Sequence, residues 1–320
     1  MKLSTDRVER KFECLLFKDT LIIDNMKFLV LVNIPEFQFS LTKSISSKLY
    51  ICQTLIIVMK KVVPFVFIFL AVACNNGAND KPDYVPQDVP VNLSYSIISP
   101  SYPHDTSSFT QGLTFYKGEL YEGTGNKGFS RLMKVDLKTG KAIKSIKLDD
   151  KYFGEGVAIL NDTIYQLTWQ DNVVLVYTLD FKKIKEFPLT TEGWGITTDG
   201  KSLIVSAGGS DLDYYEPSTF TKQKSVTVTD AGASAFNLNE LEFIDGFVYA
   251  NQWQAPYIFK INPVDGKIVA KINLTQVWDR VMVIDPKANV PNGIGYNDVT
   301  KKIYVTGKLW PELYEIEFAR

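Results

Sequence analysis

Short runs in which apolar and polar side chains alternate dominate the chain from Leu93 onward, as in GLTFYKGELYEG (112–123) and EFIDGFVYANQ (242–252). Val, Ile, Tyr and Phe fill the alternating positions, and Lys-Gly, Asn-Asp or Asp-Gly separate one run from the next. A period of two broken by such dipeptides predicts strands joined by tight hairpins. No stretch holds a 3.6-residue period long enough to suggest a long amphipathic helix, so this part of the chain reads as all-β. GTGNKG (123–128) spells the dinucleotide fingerprint G-x-G-x-x-G, which binds phosphate only where its glycines open a helix. Here FSRLMKVDLKTGKAIKSIKL follows, a second hairpin, and no nucleotide site is expected.

Five segments resemble one another: QGLTFYKGELYEGTG, EGVAILNDTIYQLTW, WGITTDGKSLIVSAG, NELEFIDGFVYANQW and NGIGYNDVTKKIYVTGK. They begin at Gln111, Glu155, Trp194, Asn239 and Asn292, so the starts lie 44, 39, 45 and 53 residues apart. That spacing suits a four-stranded propeller blade of about 40–50 residues. Each segment is a hairpin that turns near its seventh and eighth positions, and most are followed by a second hairpin. The last segment lacks one strand, whereas LSYSIIS (93–99) has no partner at the other end. The expected fold is a five-bladed β-propeller whose amino-terminal strand closes the last blade, which also removes free sheet edges. A β-sandwich competes, but it would not require five equivalent segments.

Because each hairpin folds back on itself, positions 1 and 15 of a segment lie at the same end of neighbouring strands. Position 1 holds Gln111, Glu155, Trp194, Asn239 and Asn292; position 15 holds Gly125, Trp169, Gly208, Trp253 and Lys308. Phe109 and Phe153 stand two residues before the first positions of their segments. In a propeller these side chains converge on one mouth of aromatic walls, amides, one carboxylate and one ammonium, a mixture suited to a small ligand. Glu155, enclosed by aromatic rings, is the candidate for proton transfer. Glu122, at position 12, is its rival, with a channel-lining or structural role as the alternative. Gly125 reads as a gap in the wall.

Composition narrows the chemistry. The 320 residues are 45% hydrophobic and 22% charged, with a net charge of −1 and no basic cluster, which argues against a nucleic-acid partner. All three cysteines (Cys14, Cys52, Cys74) precede the repeats, and the single histidine, His104, reads as a turn or capping residue, so no histidine-rich zinc site is available. From Met59 the chain reads MKKVVPFVFIFLAVACNNGAND: two lysines, an apolar run, small residues and then Cys74. This is a bacterial lipoprotein signal in outline, too short to span a bilayer, with Cys74 as the lipidated residue. Expected boundaries are an extension at 1–58 (with translation starting at Met59), a signal peptide at 59–73, a polar tether at 74–92 and the propeller at 93–320. The protein is expected to be an exported lipoprotein of the periplasm or cell envelope, to touch the membrane only through its anchor, and to act as a monomer.

FTQGL, YFGEG, EGWGITTDG, LNELE, NGI and VTGKLWPELYEI, taken together and in order, resemble the plant and bacterial type of glutaminyl-peptide cyclotransferase, the glutamine cyclotransferases. The resemblance implies a five-bladed propeller that converts the N-terminal glutamine of peptides or proteins to pyroglutamate with loss of ammonia. It implies no catalytic cofactor, while allowing a structural divalent cation held by backbone oxygens in the channel. It implies Glu155 as the catalytic residue, with Phe109, Gln111, Phe153, Trp169, Trp194, Asn239, Trp253 and Lys308 around the substrate. Departures occur at EGTG (122–125), SAGGS (206–210) and PNGIG (291–295), and bear on loop geometry and substrate preference. A non-catalytic propeller that binds peptides or glycans is the alternative; it would not need Glu155 and Lys308 together.

Overall fold

The computed structural model describes residues 89–319, and the backbone of a two-stranded pair, Leu16–Phe17 with Thr20–Leu21. Residues 84–320 form one compact unit. The rest of the extension, the signal and Cys74 lie outside the described residues.

Five sheets follow one another along the chain, each with four antiparallel strands, and the fourth carries one strand more. Their inner strands are Thr110–Tyr116, Gly154–Leu160, Ile196–Thr198, Leu238–Ile244 and Pro291–Asn297, each packed against the next, with the fifth returning to the first. The fold is a closed five-bladed propeller. Three inner hairpins turn on two consecutive left-handed residues, Lys117-Gly118, Asn161-Asp162 and Asp245-Gly246, the conformation that matches strand twist. Tyr95–Pro103 pairs antiparallel with Glu312–Phe318, setting Tyr95 opposite Phe318 and Ile97 opposite Ile316. The spare amino-terminal strand thus completes blade 5 and ties the two ends of the domain together. The core lies between blades, where aliphatic and aromatic faces of adjacent sheets interdigitate; Ile164, Leu203, Val248 and Trp310 are fully buried.

Two features depart from the expectations. Val91–Asn92, placed in the tether, runs parallel to Ile268–Asn273 as a fifth strand on blade 4, and Leu93 N–H donates to Lys271 O at 2.8 Å. One helix, Thr275–Ile284, interrupts the all-β pattern between blades 4 and 5. Its Val, Ile and Thr content disguises it as a strand; Val277 and Val281, one turn apart, are its buried face, and Asn273 Oδ1 accepts the Thr275 N–H at 2.9 Å.

The centre of the ring is closed by what stands at position 2 of the segments: Gly112, Gly156, Gly195, Glu240 and Gly293. A methyl group on Gly112 would overlap the backbone of Gly156 and Val157, one on Gly156 would lie 2.8 Å from Ile196 N, and one on Gly195 would overlap the Asn239 carbonyl. Where the fourth blade has a side chain, it becomes the lock: Glu240 accepts the Leu113 N–H of blade 1 at 3.1 Å and the Ile294 N–H of blade 5 at 2.9 Å. Gly195→Ala is expected to lower stability by about 3 kcal/mol through overpacking, read as a shift in the urea midpoint. Deleting residues 89–99 should abolish the cooperative transition; a truncated chain that melts like the full one would refute closure by the amino-terminal strand.

Candidate active site

In blades 1, 2 and 4 position 1 points into the mouth because the inner strand is bulged there. In blade 1, Thr110 pairs with Thr124 and Gly112 with Gly123, leaving Gln111 over. In blades 2, 4 and 5 the pairs Glu155-Gly156, Asn239-Glu240 and Asn292-Gly293 each oppose a single residue. Bulges bend a strand and re-aim its side chains. Opposite them, the N–H of position 15 donates to the carbonyl two residues before position 1: Gly125 to Phe109 (2.8 Å), Trp169 to Phe153 (3.0 Å), Trp253 to Asn237 (2.8 Å) and Lys308 to Val290 (3.1 Å). The same backbone bond in four blades holds the two functional positions side by side.

Phe109, Gln111, Phe153, Glu155, Trp169, Trp194, Asn239, Trp253 and Lys308 line one cavity of about 240 Å³. Its size suits a single residue rather than a long ligand. The walls are rings set edge to face: Phe109 on Phe153 (6.2 Å between centroids), Phe153 on Trp169 (5.6 Å) and Trp194 on Trp253 (5.3 Å). Lys308 Nζ sits 4.8 Å from the Phe109 centroid. Below them runs a hydrogen-bond relay: Asn292 Nδ2 donates to Gln111 Oε1 (3.2 Å), and Gln111 Nε2 donates to Glu155 Oε1 (3.0 Å). Gln111 is therefore held in one orientation and presents a donor to the carboxylate.

Burial raises the Glu155 pKa well above the ordinary carboxylate range; Lys308 opposes this, and the charge of Glu192 adds to it. Burial lowers Lys308 to about 8, against the pull of Glu155. The two groups thus sit far closer to neutrality than free side chains do, each moderating the other. Asn239 Oδ1 is buried without a hydrogen-bond partner among the described residues, an unmet acceptor in the cavity wall.

Glu122 does not reach the cavity. Its Oε1 accepts from Thr110 Oγ1 at 2.8 Å and lies 3.2 Å from His104 Nε2, and His104 Nδ1 lies 2.7 Å from Trp310 O. His104 is consequently a buried bridge between blades 1 and 5, rather than a turn residue. Gly125 is not a gap: a Cβ there would lie 2.6 Å from Phe153 Cζ, so the glycine is the seat of that ring. Gly208 seats Trp194 in the same way, with φ of +73°. Glu192 escaped notice although it opens the EGWG motif; both indoles, Trp169 and Trp194, donate to its Oε2. Among the described residues no three His, Cys, Asp or Glu side chains are grouped to hold a metal.

Fold and mouth together define a five-bladed propeller with one small cavity between aromatic walls and a buried carboxylate. A sequence model of the family described as glutamine cyclotransferase matches residues 67–318. A glutaminyl-peptide cyclotransferase of Arabidopsis thaliana is 39% identical over 220 residues, 68% of this chain and 69% of the plant protein. The crystal structure of Myxococcus xanthus glutaminyl cyclase superposes with a TM-score of 0.68 at 32% identity, covering 72% of this chain and 98% of the other. The chain belongs to the glutamine cyclotransferase family of acyltransferase enzymes.

The His104–Glu122 bridge yields a stability prediction. Burial opposes protonation of His104, but the Glu122 charge and hydrogen bonds to Glu122 and Trp310 O outweigh it, and the net pKa is raised. A raised folded-state pKa means stabilisation that is complete below the unfolded value of about 6.5 and is lost as pH rises through the folded value. Glu122→Gln should cost about 3 kcal/mol at acid pH, and the difference from wild type should shrink as pH rises. Urea titrations across that window, with turnover unchanged, check this.

Proposed function

We propose that the protein cyclises the N-terminal glutamine of peptides and proteins to pyroglutamate, releasing ammonia, with Glu155 shuttling the proton. The observation that carries the reading is a buried carboxylate, Glu155, beside a buried ammonium, Lys308, in a cavity sized for one residue. The neutral α-amine of the substrate attacks its own γ-carboxamide carbon, forming the lactam C–N bond. Glu155, ionised, takes a proton from the attacking nitrogen and delivers it to the departing amide nitrogen as the C–NH2 bond breaks. The carboxylate is regenerated and no water is consumed.

Each neighbour has a role that follows from its chemistry. Lys308 is the one cation in the cavity lining, and it supports negative charge developing on the γ-carbonyl oxygen. Asn239 Oδ1 takes an N–H of the substrate, which meets its unsatisfied acceptor. Gln111, oriented by Asn292, holds Glu155 in place. The rings press the substrate methylenes into a folded conformation and keep water from the carboxamide, which favours cyclisation over hydrolysis to glutamate. Upstream, the lysine pair, the apolar run and Cys74 support an exported protein anchored by lipid at the cell envelope.

Glu155→Gln is expected to lower kcat by about 10³-fold, measured as ammonia and pyroglutamate released in equal amounts from a Gln-peptide. Undiminished turnover would refute the assignment. At saturating substrate, kcat should rise with pH through the elevated Glu155 pKa and fall as Lys308 deprotonates near about 8. Lys308→Met should remove the upper limb and move the lower one to higher pH, because the charge that lowers the Glu155 pKa is gone.

A further inference from the structure

The rings of the mouth form two stretches rather than one. Phe109, Phe153 and Trp169 follow one another in contact on one side, and Trp194 and Trp253 form the other. Between Trp169 and Trp194 the connection is a carboxylate. Glu192 Oε2 accepts Trp169 Nε1 at 2.8 Å and Trp194 Nε1 at 3.1 Å, and its Oε1 accepts Gln170 Nε2 at 2.9 Å. Trp169 follows the second strand of blade 2 and Trp194 precedes the inner strand of blade 3. Gly193 N–H, donating to the Thr168 and Trp169 carbonyls at 3.2 Å, ties the two backbones, and Glu192 ties the two indole rings.

We propose that Glu192 is a positioning residue for the reaction: it sets the separation of Trp169 and Trp194, hence the width of the slot for the glutamine side chain, and its charge biases the proton shuttle. This rests on the cyclotransferase reading given above. Two indole N–H groups on one carboxylate oxygen fix both ring planes, because an indole has a single donor and must turn to use it. The bonds are charge-assisted, and Gln170 and the two indoles hold Glu192 in its ionised form. The charged groups that act on Glu155 are Lys308 from blade 5, which favours its ionisation, and Glu192, which opposes it. Blades 1 and 4 contribute the neutral amides Gln111 and Asn239 to the same cavity. Glu192 therefore holds the walls apart and keeps the shuttle from ionising too far down the pH scale.

Two variants separate these effects. Glu192→Gln keeps a carbonyl acceptor for the indoles and removes the charge, whereas Glu192→Ala removes both. The alanine variant is expected to raise KM for a Gln-peptide by about tenfold and to weaken binding of the corresponding pyroglutamyl peptide, followed by calorimetry, by a similar factor. The glutamine variant should keep KM and product affinity within about twofold while the acid limb of its pH–rate profile moves to lower pH, since the pKa-raising charge is gone. Wild type and Glu155→Gln run alongside: if wild type is inactive, or Glu155→Gln is active, the functional reading falls. With wild type active and Glu155→Gln inactive, wild-type KM and product affinity in Glu192→Ala would overturn the clamp. An unmoved acid limb in Glu192→Gln would overturn the electrostatic role.

Discussion

Five strands can meet around one axis only if their backbones are allowed to approach closely. Glycine at position 2 of four segments meets this requirement, and Glu240 in the remaining blade turns the same level into a bond between blades 4, 1 and 5. The consequences run outward. The tight approach coincides with the bulges in blades 1, 2, 4 and 5, and the bulges bring Gln111, Glu155 and Asn239 to the mouth and set Asn292 beneath them against Gln111. Placing the reactive side chains and closing the ring are thus one event in the folding of each inner strand.

Inside the mouth the governing quantity is desolvation. A carboxylate and an ammonium are both removed from water, and each becomes easier to neutralise than it would be in solution. Their mutual attraction limits the drift. Such a pair is a poor source of stability, because burying charges costs more than a well-packed apolar pair would. The stabilising work is done elsewhere: in the apolar faces between blades, the Glu240 lock and the amino-terminal strand that closes blade 5.

Much of this was legible in the sequence because hairpins repeat. Lys117-Gly118, Asn161-Asp162 and Asp245-Gly246 mark turns, and counting from them puts Gln111, Glu155, Trp169, Trp253 and Lys308 at one end of the sheets. What eluded the count has physical reasons. Glu192 lies between blades, outside the repeating unit, so no equivalent position exposes it. The glycines at position 2 are present in plain letters, but their meaning depends on backbones brought together from different blades. Gly125 was misread because an absent side chain looks the same from sequence whether the space is empty or filled by a neighbour's ring, here Phe153. The Thr275–Ile284 helix has β-branched residues on a helical period only two turns long, too brief to outweigh strand propensity. His104 gave no hint of Glu122, because their contact forms only once the chain leaving the closing strand of blade 5 packs on blade 1.

The glycine level has a last consequence, for traffic. The cavity lining consists of residues at position 1, at position 15 and just before position 1, and none from below the Glu240 lock. It is a cul-de-sac. Whatever enters between the rings must leave past the same aromatic frame. A site with a single exit works as a reciprocating chamber rather than a conduit: each turnover has to empty it before the next amino terminus can enter.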